Sequence, residues 1–137
     1  MELITSLTNA KVKMALSLQK KKYRDKYQLF ILEGIRNAEM VIAKNISVQM
    51  CFFTQQAFTN ERGKSILEQL NCPCFEIPEH IYQKISDTQS PQGLMLILPI
   101  QNHNLDDLAT INKSGLYLIL DRLQDPGNIG TIIRTAD

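Results

Sequence analysis

Five short apolar runs, each closed by a turn or a charge, set what this chain can fold into: Gln28–Leu32, Ile46–Phe53, Pro73–Ile77, Leu94–Leu98 and Leu116–Leu120. Each has the length of a strand, and the stretches between them carry apolar residues at helical spacing. Ile35 to Ala43 puts Ile35, Ala38, Val41 and Ile42 on one face. Glu61 to Leu70 turns Ile66, Leu67 and Leu70 inward, and Pro78 to Ile85 pairs Ile81 with Ile85. Ahead of the first run, Asn9 to Lys22 reads as one more helix, with Val12, Leu16, Met14 and Leu18 as a loose stripe and Thr8 or Ser6 as its cap. Alternating strands and helices predict an α/β layer architecture. Residues 1–99 supply enough elements for one small core, and a boundary is expected near Ile100. Gln101 to Asn104 is polar, and Leu105 to Ile111 has a short amphipathic pattern.

The last run ends in a charge, Asp121, and Asp125-Pro126-Gly127-Asn128 follows as a turn. A helix should begin there, because aspartate is a good N-cap and proline suits the first helical position. Ile129, Ile132, Ile133 and Ala136 then share one face, expected to be buried. Gly127, Gly130, Thr131 and Arg134 share another, small at three positions and cationic at the fourth. That second face, beside the free N–H groups of a helix start, suits a phosphate-bearing ligand. The turn has neither Gly-Lys-Ser/Thr nor Gly-x-Gly-x-x-Gly, which argues against an ordinary nucleotide-binding loop.

Hydrophobic residues make up 44% of the chain and charged residues 21%, as in a soluble globular protein. No apolar run approaches the roughly 20 residues that cross a membrane, and Thr5, Thr8, Asn9 and the lysines interrupt any signal-peptide core. Cys51, Cys72 and Cys74 are three in number, and Cys72-Pro73-Cys74 lacks zinc-knuckle spacing, so they read as ordinary reduced thiols with no metal. His80 stands alone and reads as a surface residue. The net charge of +1 conceals an asymmetry: residues 1–44 hold nine Lys or Arg against four Asp or Glu, and residues 45–137 hold six against ten. Lys11, Lys13, Lys20, Lys21, Lys22, Arg24 and Lys26 crowd the first helix and its exit, with Tyr23 and Tyr27 interleaved. Lysine offers point charges to phosphates and tyrosine offers faces to unpaired bases, so a polyanion partner is implied. A solvated helix face followed by a basic loop would carry the same residues.

Three stretches resemble one known family. Leu120-Asp121, Asp125-Pro126-Gly127-Asn128-Ile129-Gly130 and Arg134-Thr135-Ala136 keep a fixed spacing that resembles motif 1 of the SpoU (TrmH-like) branch of the SPOUT RNA methyltransferases. Phe30-x-x-Glu33-Gly34-x-Arg36, after a basic helix, resembles the opening of the substrate-binding domain that precedes the SpoU catalytic domain. Ser86-Asp87-Thr88-Gln89-Ser90-Pro91-Gln92-Gly93 resembles a Ser-x-Thr-x-x-Pro-Gln-Gly segment of the same domain. The resemblance implies a small three-layer, mixed-sheet RNA-binding domain over residues 1–99 and a linker over 100–114. Residues 115–137 would then be the first strand and helix of a trefoil-knotted methyltransferase domain.

The reaction so implied is methyl transfer from S-adenosylmethionine to a ribose 2′-hydroxyl of structured RNA, ribosomal RNA in particular. The enzyme would be cytoplasmic and homodimeric, with no membrane contact. The two later motifs that hold the cofactor are not in the sequence. The chain is therefore expected to be an N-terminal fragment that binds RNA without binding S-adenosylmethionine or catalysing; a non-catalytic RNA-binding module is the alternative.

The resemblance assigns catalysis to Arg134 and Asn128. Arg134 would be proton acceptor or activator, although a guanidinium of pKa above about 12 serves better as a phosphate clamp. Asn128 would orient the ribose and hold the turn, or help close the cofactor pocket. RNA contacts fall to Lys11, Lys20, Lys21, Lys22, Arg24, Lys26, Arg36 and Gln92. Arg36 lies in a first helical turn, where the macrodipole disfavours a cation, which hints at function; pairing with Glu33 is the structural alternative. The Ser86–Gly93 loop would bind phosphates or bases, or else cap the preceding helix and set the turn.

Overall fold

The computed structural model describes residues 1–102 and 117–137. The expectations for Leu105–Ile111, Gly115 and Leu116 lie outside the described residues. The chain divides into two units, Met1–Gln101 and Asn102–Asp137.

The first unit is organised by β5, Leu94–Pro99, whose unbroken apolar run is buried on both sides. Leu94, Leu96 and Leu98 face one layer, and Met95 and Ile97 face the other. A strand with no polar alternation needs cover on both faces, which is why it sits inside the sheet rather than at its rim. The order is β1-β4-β3-β5-β2, with β1 Glu2–Leu3, β2 Leu29–Glu33, β3 Met50–Phe53 and β4 Cys74–Glu76. β1, β4 and β3 run parallel, and β5 runs antiparallel to both β3 and β2, so the sheet is mixed.

Helices cover both faces. α1 (Ala10–Ser17) and α6 (Glu79–Ile85) bring Val12, Ala15, Ile81, Tyr82 and Ile85 onto Phe52, Phe75, Met95 and Ile97. α3 (Ile35–Ala43), α4 (Gln55–Thr59) and α5 (Glu61–Gln69) bring Ala38, Val41, Ala57, Ile66 and Leu67 onto Cys51, Phe53, Leu94 and Leu96. The three-layer expectation holds.

The expected single helix over Asn9–Lys22 is instead two, α1 and α2 (Lys21–Tyr27). Neither Thr8 nor Ser6 caps α1; the Asn9 side chain does, accepting from the Lys11 N–H at 2.9 Å. The break is held by one distant contact and one local one. Gln19 Nε2 donates to the Lys84 and Ile85 carbonyls at the end of α6. Arg24 Nη1 donates to the Leu18 and Gln19 carbonyls, satisfying the end of α1 and turning the chain there. The buried stripe of this helix is Val12, Ala15 and Leu18.

β1 and α4 were not foreseen. β1 is too short to show alternation, and α4 too short to show helical period. Asn60 ends α4 and caps α5, accepting from the Arg62 and Gly63 N–H groups. A side chain at Gly63 would run into the Ala57 backbone, so glycine is what lets α4 and α5 meet. β3 is also shorter than the Ile46–Phe53 run, and Ile46 is exposed.

In the second unit, α7 (Pro126–Ala136) starts as expected: Asp125 Oδ1 accepts from the Gly127 N–H at 2.8 Å, with Pro126 in the first turn. Two expectations fail. Residues 117–120 form no strand, and Tyr117, Leu118, Ile119 and Leu120 are exposed. No residue of α7 is buried, Ile133 being 54% accessible. A parallel strand needs hydrogen-bonded neighbours, and an apolar helix face needs an opposing layer. The described residues of this unit supply neither.

The three thiols are free and lie together: Cys51 and Cys74 are register partners on β3 and β4, with Cys72 two residues ahead of Cys74.

Candidate nucleic-acid interface

The end of β2, the start of α3 and the loop before β5 converge at one place. Because β2 and β5 pair antiparallel with Glu33 opposite Met95, the Glu33-Gly34-x-Arg36 stretch meets the Ser86–Gly93 loop. Two segments some fifty residues apart in sequence thus form one surface, and hydrogen bonds between them fix it.

Glu33 anchors the loop. Its carboxylate accepts from the Tyr82 hydroxyl at 3.0 Å, from Ser86 Oγ at 2.8 and 2.9 Å, and from Thr88 Oγ1 at 3.0 Å. Burial, then the adjacent Glu33 charge and hydrogen bond, push the Tyr82 phenol far above its ordinary range. The alternative in which Glu33 pairs with Arg36 is therefore set aside: three hydroxyls occupy the carboxylate.

Gly34 turns the chain with φ +104°, a conformation open to glycine, and its N–H donates to the Leu94 carbonyl. Gln92 Oε1 then accepts from the Ile35 N–H at 2.9 Å, so a side chain of the loop caps α3. The alternative in which the loop caps the preceding helix holds as well: Ser86 ends α6, its N–H donating to the Tyr82 carbonyl at 2.9 Å, while Gln92 caps α3. Asn37 Nδ2 donates to the Glu33 carbonyl at 2.7 Å. Gly93 has φ +71°, and a side chain there would strike Thr54 Oγ1.

Around this frame lie two clefts. One, of about 300 Å³, is lined by Glu33, Gly34, Arg36, Asn37, Thr88, Ser90 and Gln92. The other, of about 550 Å³, is lined by Ile35, Arg36, Gln56, Asn60, Arg62, Ser90, Pro91 and Gln92. Arg36, Ser90 and Gln92 belong to both. Arg62 is committed: its Nε and Nη2 bind the Glu39 carboxylate at 2.8 and 2.6 Å. That pairing holds Glu39 below the usual carboxylate range, with smaller help from the Arg36 charge. Arg36 is exposed and makes no hydrogen bond or ion pair with another described residue. Among the described residues lining these clefts, it is the cation free to meet an anion.

The other expected contact residues lie elsewhere. Lys20, Lys21, Lys22, Arg24 and Lys26 sit on or beside α2, which packs against β2. Tyr23 and Tyr27 stack at 6.2 Å with 17° between planes, Lys22 and Lys26 extend over them, and Tyr27 is 41% accessible. Lys21 pairs with Asp25 at 2.6 Å, and Arg24 is held by backbone carbonyls. Lys11 is at the far edge of the sheet, over the Phe75 ring and 3.7 Å from Glu2. The basic front end is thus spread along the sheet rather than gathered in one patch.

On α7, Arg134 folds back along its own helix. Its Nη2 donates to Thr131 Oγ1 at 3.2 Å, and Thr131 in turn donates to the Gly127 carbonyl at 2.9 Å. A side chain at Gly130 would crowd the guanidinium, so the small residues do clear its path. Among the described residues Arg134 faces no buried carboxylate, and Asn128 is exposed on the first turn.

Sequence reasoning missed Tyr82, which reads as core on α6, and Asn37, which reads as a surface helix residue. The one available signal for Tyr82 was a hydroxyl-bearing ring on an otherwise apolar helix face, four residues before Ser86.

Fold and clefts together define a class: an α/β domain that presents amides, hydroxyls and an unneutralised arginine from one end of its sheet. Residues 9–96 match the family described as the MRM3-like substrate binding domain, and the chain belongs to that family. It is 32% identical over 137 residues to the 23S rRNA (guanosine(2553)-2′-O)-methyltransferase RlmP of Bacillus subtilis, covering all of this chain and 51% of that one. An AdoMet-bound rRNA methyltransferase from Sinorhizobium meliloti superposes with a TM-score of 0.76 at 30% identity, over 98% of this chain and 50% of that one. The SpoU methyltransferase AviRb from Streptomyces viridochromogenes shares the fold, with a TM-score of 0.79 at 20% identity over 94% of this chain and 49% of that one. The chain spans about half the length of these relatives. SpoU/TrmH-type methyltransferases are thus its relatives, as the motif resemblance implied.

Proposed function

We propose that this chain is the RNA-binding part of an S-adenosylmethionine-dependent ribosomal RNA 2′-O-ribose methyltransferase, with residues 1–99 as the substrate-binding domain. Residues 100–114 would be the linker and residues 115–137 the start of the catalytic domain. The observation that carries the reading is the joining of Glu33–Arg36 to Ser86–Gly93 around two clefts that share Arg36 and Gln92. Arg36 meets RNA phosphate, the second amide atom of Gln92 and the Ser90 hydroxyl meet sugar or base edges, and α2 adds lysines and stacked rings.

In the whole enzyme, Arg134 grips the phosphate beside the target ribose and eases charge on the 2′-oxygen as it loses its proton, while Asn128 orients the ribose. S-adenosylmethionine supplies an electrophilic methyl group when bound. No residue of α7 is buried, so this helix by itself does not enclose that cofactor. The whole enzyme works as a cytoplasmic homodimer on this reading. No helix among the described residues is long and apolar enough to cross a membrane.

Photocrosslinking of the chain to a ribosomal RNA transcript, followed by peptide mapping, tests the site. Nucleotide adducts are expected on residues 33–37, on 86–93 and on α2. Adducts confined to β1 and the face of Lys11 would refute it.

A second reading, in which this chain binds RNA without catalysing, is favoured by the exposure of α7. Calorimetry of this polypeptide with S-adenosylmethionine should show no heat on either reading, and a micromolar isotherm would overturn both.

A further inference from the structure

The three cysteines take no part in the clefts above, yet the fold gathers them at one point. Cys51 on β3 and Cys74 on β4 are partners in a parallel register, fixed by the Cys51 N–H donating to the Pro73 carbonyl at 3.0 Å. Neighbouring strands lie about 4.8 Å apart, inside the roughly 4.4–6.8 Å over which a disulfide joins Cα atoms. Cys72 lies in the bend before β4, outside the β3–β4 register.

Access differs as much as spacing. Cys51 is fully buried. Cys72 and Cys74 are half-buried and line a cleft of about 470 Å³ with Leu67, Leu70 and Pro73. The neighbouring Cys51 thiol and then the Cys72 thiol lower the Cys74 pKa from the ordinary thiol range; as a thiol, Cys74 Sγ donates to the Cys72 carbonyl at 3.4 Å, and Cys51 Sγ donates to the Phe52 carbonyl at 3.7 Å. Cys74, with burial, pushes the other two thiols up. Of the two accessible sulfurs, Cys74 is the one with a buried thiol directly across the ladder from it.

We propose that Cys74 is a modification site for hydroperoxides, and that Cys51 resolves the oxidised sulfur as a cross-strand disulfide. The Cys74 thiolate attacks one oxygen of hydrogen peroxide. An S–O bond forms, the O–O bond breaks, hydroxide leaves, and sulfur is oxidised by the two electrons that peroxide gains. The Cys51 sulfur, giving up its proton, then attacks the Cys74 sulfur. An S–S bond forms, the S–O bond breaks, and hydroxide departs with that proton as water. Two thiols and one peroxide give one disulfide and, with the thiolate's original proton, two waters. The inference is independent of the RNA-binding reading.

The test uses the whole folded chain, one equivalent of hydrogen peroxide, alkylation of free thiols and trypsin digestion. Cys51 falls in the peptide 45–62, and Cys72 and Cys74 fall together in 65–84. The expected product is these two peptides joined. It should form about ten-fold faster in the folded chain than in urea. Cys72→Ser should retain the link, and Cys74→Ser should lose it, circular dichroism confirming the fold of each. Should Cys74→Ser fail to fold, wild type against Cys72→Ser decides the matter. Persistence of three alkylatable thiols, a bridge within peptide 65–84, or loss of the link in folded Cys72→Ser would overturn the proposal.

Discussion

Replacing Gln92 by glutamate separates the two jobs assigned to this side chain. Its Oε1 accepts from the Ile35 N–H, the first orphan donor of α3, at 2.9 Å. Glutamate offers the same oxygen with a charge. An anion at a helix N-terminus contributes about 0.3–1 kcal/mol, which for a unit of this size raises Tm by roughly 2–6 °C. The same charge faces the groove shared with Arg36. An RNA phosphate about 4 Å away in water-filled space is repelled by about 1 kcal/mol, close to five-fold in affinity. Stability and RNA affinity should therefore move in opposite directions. Thermal melting followed by circular dichroism and fluorescence anisotropy with a labelled ribosomal RNA fragment measure them on the same preparation. Gln92→Ala, which loses the cap without adding charge, should melt lower, by about 1 kcal/mol, and bind better than the glutamate variant. If Gln92→Glu binds as wild type does, or Gln92→Ala binds worse than it, the groove does not hold phosphate at this point and the reasoning fails.

Glu33→Ala leaves the buried Tyr82 hydroxyl without its acceptor, so urea unfolding should show a loss of about 2–3 kcal/mol, and Glu33→Gln a smaller one. Tyr82 also sets the alkaline limit. Its folded pKa is raised by burial and by Glu33, so its contribution to stability is complete below the ordinary tyrosine pKa and is lost as pH climbs beyond it. Phenolate absorbance should show one late phase coincident with unfolding, absent in Tyr82→Phe. In the intact methyltransferase, Arg134→Lys should leave S-adenosylmethionine binding unchanged by calorimetry and slow methyl incorporation into RNA at least about ten-fold, because lysine loses the planar fork. Unaltered turnover would remove Arg134 from the reaction.

Local chemistry was readable wherever it was self-contained. The bounds of α3 match the apolar period of Ile35 to Ala43, and Asp125-Pro126 marked the start of α7. β5 falls on the expected Leu94–Leu98 run, one residue longer. Features decided by distant partners were not readable. The split between α1 and α2 depends on Gln19 reaching the end of α6, and the role of Glu33 depends on hydroxyls some fifty residues away. The motif residues of the two loops were each visible as singular, but only the β2–β5 register showed that they share one surface. The basic run was legible as charge and not as a patch, since Lys11 and α2 lie at opposite edges of the sheet. The 117–120 run has strand chemistry, yet chemistry alone does not supply the neighbouring strands it needs.

The salt dependence of RNA binding by wild type and Arg36→Ala tests the central claim most directly. Affinity of the wild-type chain should fall steeply between low and physiological salt, and Arg36→Ala should both weaken binding and lower the slope of log K against log salt by about one counterion. A slope identical in the two proteins, or binding that salt does not touch, would contradict a phosphate held by Arg36.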